Sequence, residues 1–167
     1  MAAPITQASG ESWFPSSLEA TQRLLDWFER YRPPDLDPLL WIQAQTALVE
    51  GFTNAVRHAH GPLVPPPPVM VSLEITATCL RLQIIDQGAP FDITCAWTNN
   101  SSFQNVGGEI NTLGAPSDGD GLPALPDQDS HWGLIMLGRL RRDFGWVIRY
   151  DPHPNGGNKL VMERALT

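Results

Sequence analysis

Leu48-Val49-Glu50-Gly51-Phe52-Thr53-Asn54-Ala55-Val56-Arg57-His58 is the stretch on which the fold turns. It sits in an apolar pattern (Leu39, Ile42, Leu48, Phe52, Ala55, Val56) that recurs at helical spacing. Glu50, Asn54 and His58 stand four residues apart. Four residues turn an α-helix by about 400°, so the three fall along one slowly drifting stripe. The amide oxygen of Asn54 can ligate a hard cation such as Mg²⁺, and the carboxylate of Glu50 can orient or deprotonate a nucleophile. The plain alternative is the solvated polar edge of an amphipathic helix, and on spacing alone that is the commoner case.

Asp37 can cap this helix, Pro38 suits its first turn and Gly61-Pro62 ends it, which predicts about 22 residues. Before it, Leu18, Leu24, Leu25, Trp27, Phe28 and Tyr31 predict a helix over 17–31, with a capping serine in Ser16-Ser17-Leu18-Glu19 and a stop at Pro33-Pro34. Residues 1–15 read as a loose N-terminus with room for one short edge strand. After the long helix, 69–76 and 80–86 read as strands. Leu80, Leu82 and Ile84 alternate with Arg81 and Gln83, the period of a half-buried strand, and the short link at Ala77-Thr78-Cys79 makes the pair a hairpin. A third helix over 132–143 and two strands at 145–151 and 158–164 complete the chain. The span 87–130 has no periodicity, and its part over 92–130 reads as a long lid-like loop. The order predicts a single α+β domain over 1–167, a two-layer sandwich with helices on one face of a mainly antiparallel sheet.

Composition narrows the function. The chain has 167 residues, 42% hydrophobic and 17% charged, with 11 Lys plus Arg against 18 acids, a net charge of −7. That balance is too acidic for the large basic face a duplex nucleic acid demands, so no direct nucleic-acid partner is expected. No apolar run approaches the roughly 20 residues of a membrane span, and Met1-Ala2-Ala3-Pro4 opens no export signal. Cys79 and Cys95 have no metal-type spacing and read as a reduced pair, which points to the cytoplasm.

Two further constellations lie outside the long helix. Asp86-Gln87-Gly88 ends a strand. A carboxylate there can receive an exocyclic amino group while the glycine lets a flat ring approach; the plain reading is an ordinary turn. Ser130-His131-Trp132-Gly133-Leu134 starts a helix after the lid, where unpaired N–H groups suit phosphates; the plain reading is a capped helix start.

Taken in order, Glu-x3-Asn-x3-His on a helix, Asp-x-Gly at a strand end, a lid and a glycine-started helix resemble the GHKL ATPase superfamily of histidine-kinase-like ATPase domains. The resemblance is nearest to its bacterial anti-sigma factor serine/threonine kinase branch and covers about residues 16–164. It implies a Bergerat-type fold, ATP and Mg²⁺ as cofactors, and a sigma factor and an anti-anti-sigma factor as protein partners in transcription regulation, with homodimerisation. It implies that Asn54 holds the metal at the ATP phosphates and that Glu50 is the catalytic base or water-orienting acid. Arg57 and His58 would lie near the phosphates. Asp86 would take the adenine amino group with Gly88 beneath the ring. Gly133 and Leu134 would belong to the second glycine box, and Gly157 would be the last glycine of the pattern.

The chain departs from that pattern in four ways. Ser130 and His131 stand where further glycines are usual. Leu82 to Gly138 contains no Lys or Arg but seven acids: Asp86, Asp92, Glu109, Asp118, Asp120, Asp127 and Asp129. The lid is longer than in compact members, and Asn158 follows Gly157 where the family often has threonine. These departures keep open an alternative, a catalytically weak or inactive protein-binding module of the same fold.

Overall fold

A computed structural model describes residues 8–99 and 129–166. Five strands form one sheet in the order β1-β2-β3-β5-β4: β1 (Ala8–Phe14), β2 (Val69–Ile75), β3 (Cys79–Asp86), β4 (Val147–Pro152) and β5 (Asn158–Ala165). Every pairing is antiparallel. Helices α1 (Thr21–Glu29), α2 (Pro38–Asn54), α3 (Ile93–Asn99) and α4 (Asp129–Phe144) complete the chain. This is the α+β sandwich expected.

Strand alternation explains which side the helices cover. In β3 the buried positions are Leu80, Leu82, Ile84 and Asp86, all on one face. Leu160 and Met162 of β5 and Val69, Val71, Leu73 and Ile75 of β2 are buried with them. Against this face lie Leu24, Trp27 and Phe28 from α1 and Trp41, Ala44, Ala47, Leu48 and Phe52 from α2. Phe28 stacks on Trp41 with ring centroids 4.0 Å apart, and the Trp41 indole donates to Glu29 at 2.8 Å. Each such fully buried side chain contributes about 1.5–3 kcal/mol of transfer free energy. Gly51 lets α2 approach the sheet: a Cβ there would stand 2.6 Å from Ile84 Cδ1 and 2.8 Å from Leu160 Cδ2.

The long helix begins as predicted, with the Asp37 carboxylate accepting from the Leu39 N–H at 3.0 Å and Pro38 in the first turn. It changes character at its end. Ala55–Ala59 is a wider π turn, closed by the His60 N–H on the Ala55 carbonyl at 2.9 Å. A π turn rotates the chain less per residue than an α-helix, so the stripe through Glu50 and Asn54 does not continue to His58, which is exposed.

Three expectations need correcting. The predicted helix over 17–31 starts as a 3-10 turn at Leu18–Ala20, and Ser17 makes no side-chain cap to it, because its hydroxyl is taken by the Glu19 carboxylate. Residues 8–14 form the edge strand for which the N-terminal segment had room, but as a seven-residue partner of β2 they are not a loose terminus. Of the lid-like loop 92–130, residues 93–99 are helical: Asp92 accepts from the Thr94 N–H at 2.9 Å and so starts α3. Residues 100–128 of that loop lie outside the described residues. Cys79 and Cys95 are both free thiols. Among the described residues no helix is long and apolar enough to cross a membrane.

Candidate functional site

The three constellations meet at one end of the helix–sheet interface. The first contact joins α2 to α4. Gly133 is buried on α4, and a Cβ there would stand 2.7 Å from Glu50 Oε2 and 3.1 Å from Asn54 Oδ1. The bare Gly133 thus lets two side-chain oxygens from successive turns of α2 lie against the second turn of α4, where a methyl would push them aside. The Asn54 Nδ2 is buried and without a hydrogen-bond partner among the described residues. A buried amide with an unspent donor is costly unless something completes it, so the position suits a polar ligand. Burial holds the Glu50 carboxyl above its ordinary 4.5, with Arg57 opposing. A carboxylate with a raised pKa is the stronger base.

The second contact joins β3 to β5. Asp86 is the next inward position after Ile84, so it points toward the helices at the strand's end, and it is 3% exposed. One oxygen, Oδ1, accepts from the Gly88 N–H at 2.8 Å and from Asn158 Nδ2 at 3.0 Å. That leaves Oδ2 as the acceptor for a ligand donor. Asn158 also donates to the Ala89 carbonyl at 2.8 Å and accepts from the Phe91 N–H at 3.1 Å. The polar side chain after Gly157 thus ties down the whole turn 86–91. Gly157, at φ +87°, packs on the Asp86 backbone. Beside it Tyr150 stands edge-on to Phe91 at 5.1 Å. Its hydroxyl is held far above its ordinary value, first by burial and then by the Asp86 charge, and stays neutral.

The end of α2 links the two clusters. Gly88 lies against Ala59, so close that a Cβ would stand 2.6 Å from the Ala59 Cβ. Asn54 and Asp86 therefore lie on one side of the molecule, at the same end of β3. Glu50, Asn54 and Gly133 are brought together directly, as are Asp86, Gly88 and Gly157. Arg57 and His58 are exposed on the π turn. Leu134 is half-buried, and its carbonyl accepts the Trp97 indole N–H at 3.0 Å, which docks α3 on α4. The side chains of Ser130 and His131 lie outside the described residues.

A match to the histidine kinase-like ATPase domain family spans residues 14–164. The chain belongs to that family. No curated protein matches the chain significantly. As a histidine kinase-like ATPase domain it is an ATP-binding module.

Sequence reading missed two residues of this histidine kinase-like ATPase domain. Asn158 was noticed only as a departure from threonine. His60, which belongs to no sequence motif, is 1% exposed. Nothing in the periodicity announces the π turn that carries His60 inward. The seat at Gly133 yields a direct expectation. Gly133→Ala should fold but weaken ATP binding about tenfold or more, because the methyl would push on Glu50 and Asn54 in the site and not on the core. Calorimetric titration with ATP checks this, and an unchanged affinity would show that Gly133 is no part of the pocket.

Proposed function

We propose that this chain is an anti-sigma-factor-like serine/threonine protein kinase that binds Mg·ATP and regulates transcription through protein partners in the bacterial cytoplasm. The observation that carries the reading is the pairing of Glu50 Oε2 and Asn54 Oδ1 at the bare side of Gly133. It puts a base of raised pKa beside an amide oxygen against the second turn of α4, which starts at Asp129 and not at the glycine as expected.

The donor set fits Mg²⁺. Among the described residues no group of three or more His, Cys, Asp or Glu forms a metal cage. Mg²⁺ does not need one, since it is commonly held by one or two protein oxygens, substrate phosphates and water. Asn54 would hold it, and when bound it would neutralise charge on the phosphates. The rest of the work belongs to the chain. Asp86 Oδ2 accepts the adenine amino group, Gly88 admits the ring, and Asn54 Nδ2 has a donor to spend on a phosphate oxygen. Glu50 takes the proton from the acceptor serine hydroxyl as its oxygen attacks the γ-phosphorus, and the bond from that phosphorus to the bridging oxygen of ADP breaks. Arg57, exposed on the π turn that follows α2, is the cation next to Asn54 in the chain and would face the leaving charge. A sigma factor and an anti-anti-sigma factor are the partners proposed, and the chain acts as a homodimer.

Asn54→Ala tests this. The folded variant should lose at least about a hundredfold in Mg·ATP turnover. Unchanged turnover would sink the reading. A second reading, the catalytically weak or inactive binding module, is favoured by one feature: Leu82 to Gly138 has no Lys or Arg. Millimolar or absent Mg·ATP binding by the native protein would favour it.

A further inference from the structure

Among the described residues, His60 is a buried titratable group that the mechanism leaves unused. His60 is 1% exposed, at the end of the π turn and against the Asp86–Gly88 turn. Its Nε2 lies 2.8 Å from the Gln87 backbone nitrogen, and its Nδ1 lies 3.0 Å from Ser16 Oγ. A backbone N–H can only donate, so Nε2 must offer a lone pair. A neutral ring then carries its proton on Nδ1 and donates it to the Ser16 hydroxyl. The two contacts fix one tautomer and one ring orientation.

We propose that His60 is a positioning residue for the nucleotide site, holding the Gln87 backbone from the N-terminal segment at Ser16 so that Asp86 and Gly88 are presented to the purine. The inference rests on the reading of Asp86 as the purine acceptor. It explains why the 86–88 turn is held from two sides. Asn158 of β5 and Gly157 just before it grip Asp86 from one side. Ala59 against Gly88 and His60 on Gln87 seat it from the other. Without the imidazole acceptor the Gln87 N–H loses its partner, and the turn is free to shift away from the ring position. The chain also gains a physical link between its N-terminal segment and the purine end, running from Ser16 through one ring to Gln87. The phosphate end, at Gly133, is not part of it.

His60→Phe, His60→Gln and His60→Asn separate packing from positioning. The Gln side chain can return an oxygen near the Nε2 position, Asn only one near Nδ1, and Phe neither. In His60→Phe, ATP and ADP affinities should fall together by about tenfold, leaving their ratio unchanged. Exchange of the Gln87 amide hydrogen in the ligand-free protein should speed by a similar factor. His60→Gln should restore both to within about twofold, and His60→Asn should not. In the native protein, nitrogen NMR of the ring should show the proton on Nδ1. Phe and Gln variants weakened alike, a folded Phe variant with native affinity, or a ring protonated on Nε2 would each overturn the proposal. If the Phe variant does not fold, the Gln and Asn pair decides: equal affinities and equal Gln87 exchange overturn it. Failure of the native protein to bind any adenine nucleotide would instead sink the purine reading, and the Gln87 exchange comparison would still judge His60.

Discussion

Glu50→Gln should slow ATP turnover by about 10²–10⁴-fold while nucleotide still binds, because the amide keeps the shape of the acid and loses its basicity. The size follows from where Glu50 lies. It is half-buried beside Gly133 and next to Asn54, and burial raises its pKa above 4.5 while Arg57 pulls it partly back. A base acts only when deprotonated, so native turnover should climb with pH through this raised pKa, with its acid limb displaced upward from the ordinary carboxylate range. The same shift has a stability sign. The folded-state pKa exceeds the unfolded one, so the contribution of Glu50 to stability is complete below the unfolded value and lost as pH rises through the folded one. At neutral pH the charged acid therefore weakens the fold, and Glu50→Gln should melt higher than the native protein as it loses activity. Turnover against pH and thermal unfolding at pH 7 check both. A Gln variant with native turnover would remove Glu50 from the chemistry.

Much of this geometry was readable before any coordinates. Asp37 and Pro38 set the start of α2, and the alternation of Leu80, Leu82 and Ile84 set β3 and, with it, the inward direction of Asp86 two residues on. What was not readable has physical causes. The edge strand β1 shows little apolar alternation because Ala8, Gly10 and Ser12, its inward positions before Phe14, are small. At Gly10 the reason is Tyr31, which fills the space above it so closely that a Cβ there would stand 2.2 Å from its hydroxyl oxygen. That constraint is a contact between segments 21 residues apart, invisible to any local period. Helix α3 is a seven-residue element held by Asp92 at its start and by Trp97 on the Leu134 carbonyl. Its stability comes from that docking, since isolated helices so short are marginal. The π turn hid His60 for the same reason: a periodic argument assumes the period continues. Asp86 facing Asn158 is a matter of strand register between β3 and β5, which pairs positions 72 residues apart that no spacing rule relates.

Gly157→Ala should cost more than about 3 kcal/mol, and adjacent Gly156→Ala only about 1–2 kcal/mol. Both glycines have φ in the left-handed region, +87° at Gly157 and +90° at Gly156. Both substitutions therefore carry the backbone penalty of an L side chain there. The environments differ. A Cβ on Gly156 meets nothing within 4 Å. A Cβ on Gly157 would stand 2.0 Å from the Asp86 carbonyl oxygen and 2.7 Å from Gln87 Cα. Both are backbone atoms, so no flexible side-chain end can yield, and relief requires parting β5 from β3 where Asn158 pairs with Asp86. The damage should thus reach the purine end. Gly156→Ala should bind ATP as the native protein does, and any Gly157→Ala that folds should bind it at least tenfold more weakly. Equal melting temperatures for the two variants would mean that Gly157 serves the turn alone. A Gly157→Ala that is destabilised yet binds ATP with native affinity would detach the Asp86 turn from nucleotide recognition, because the same methyl that forces the strands apart must displace the carboxylate held between them.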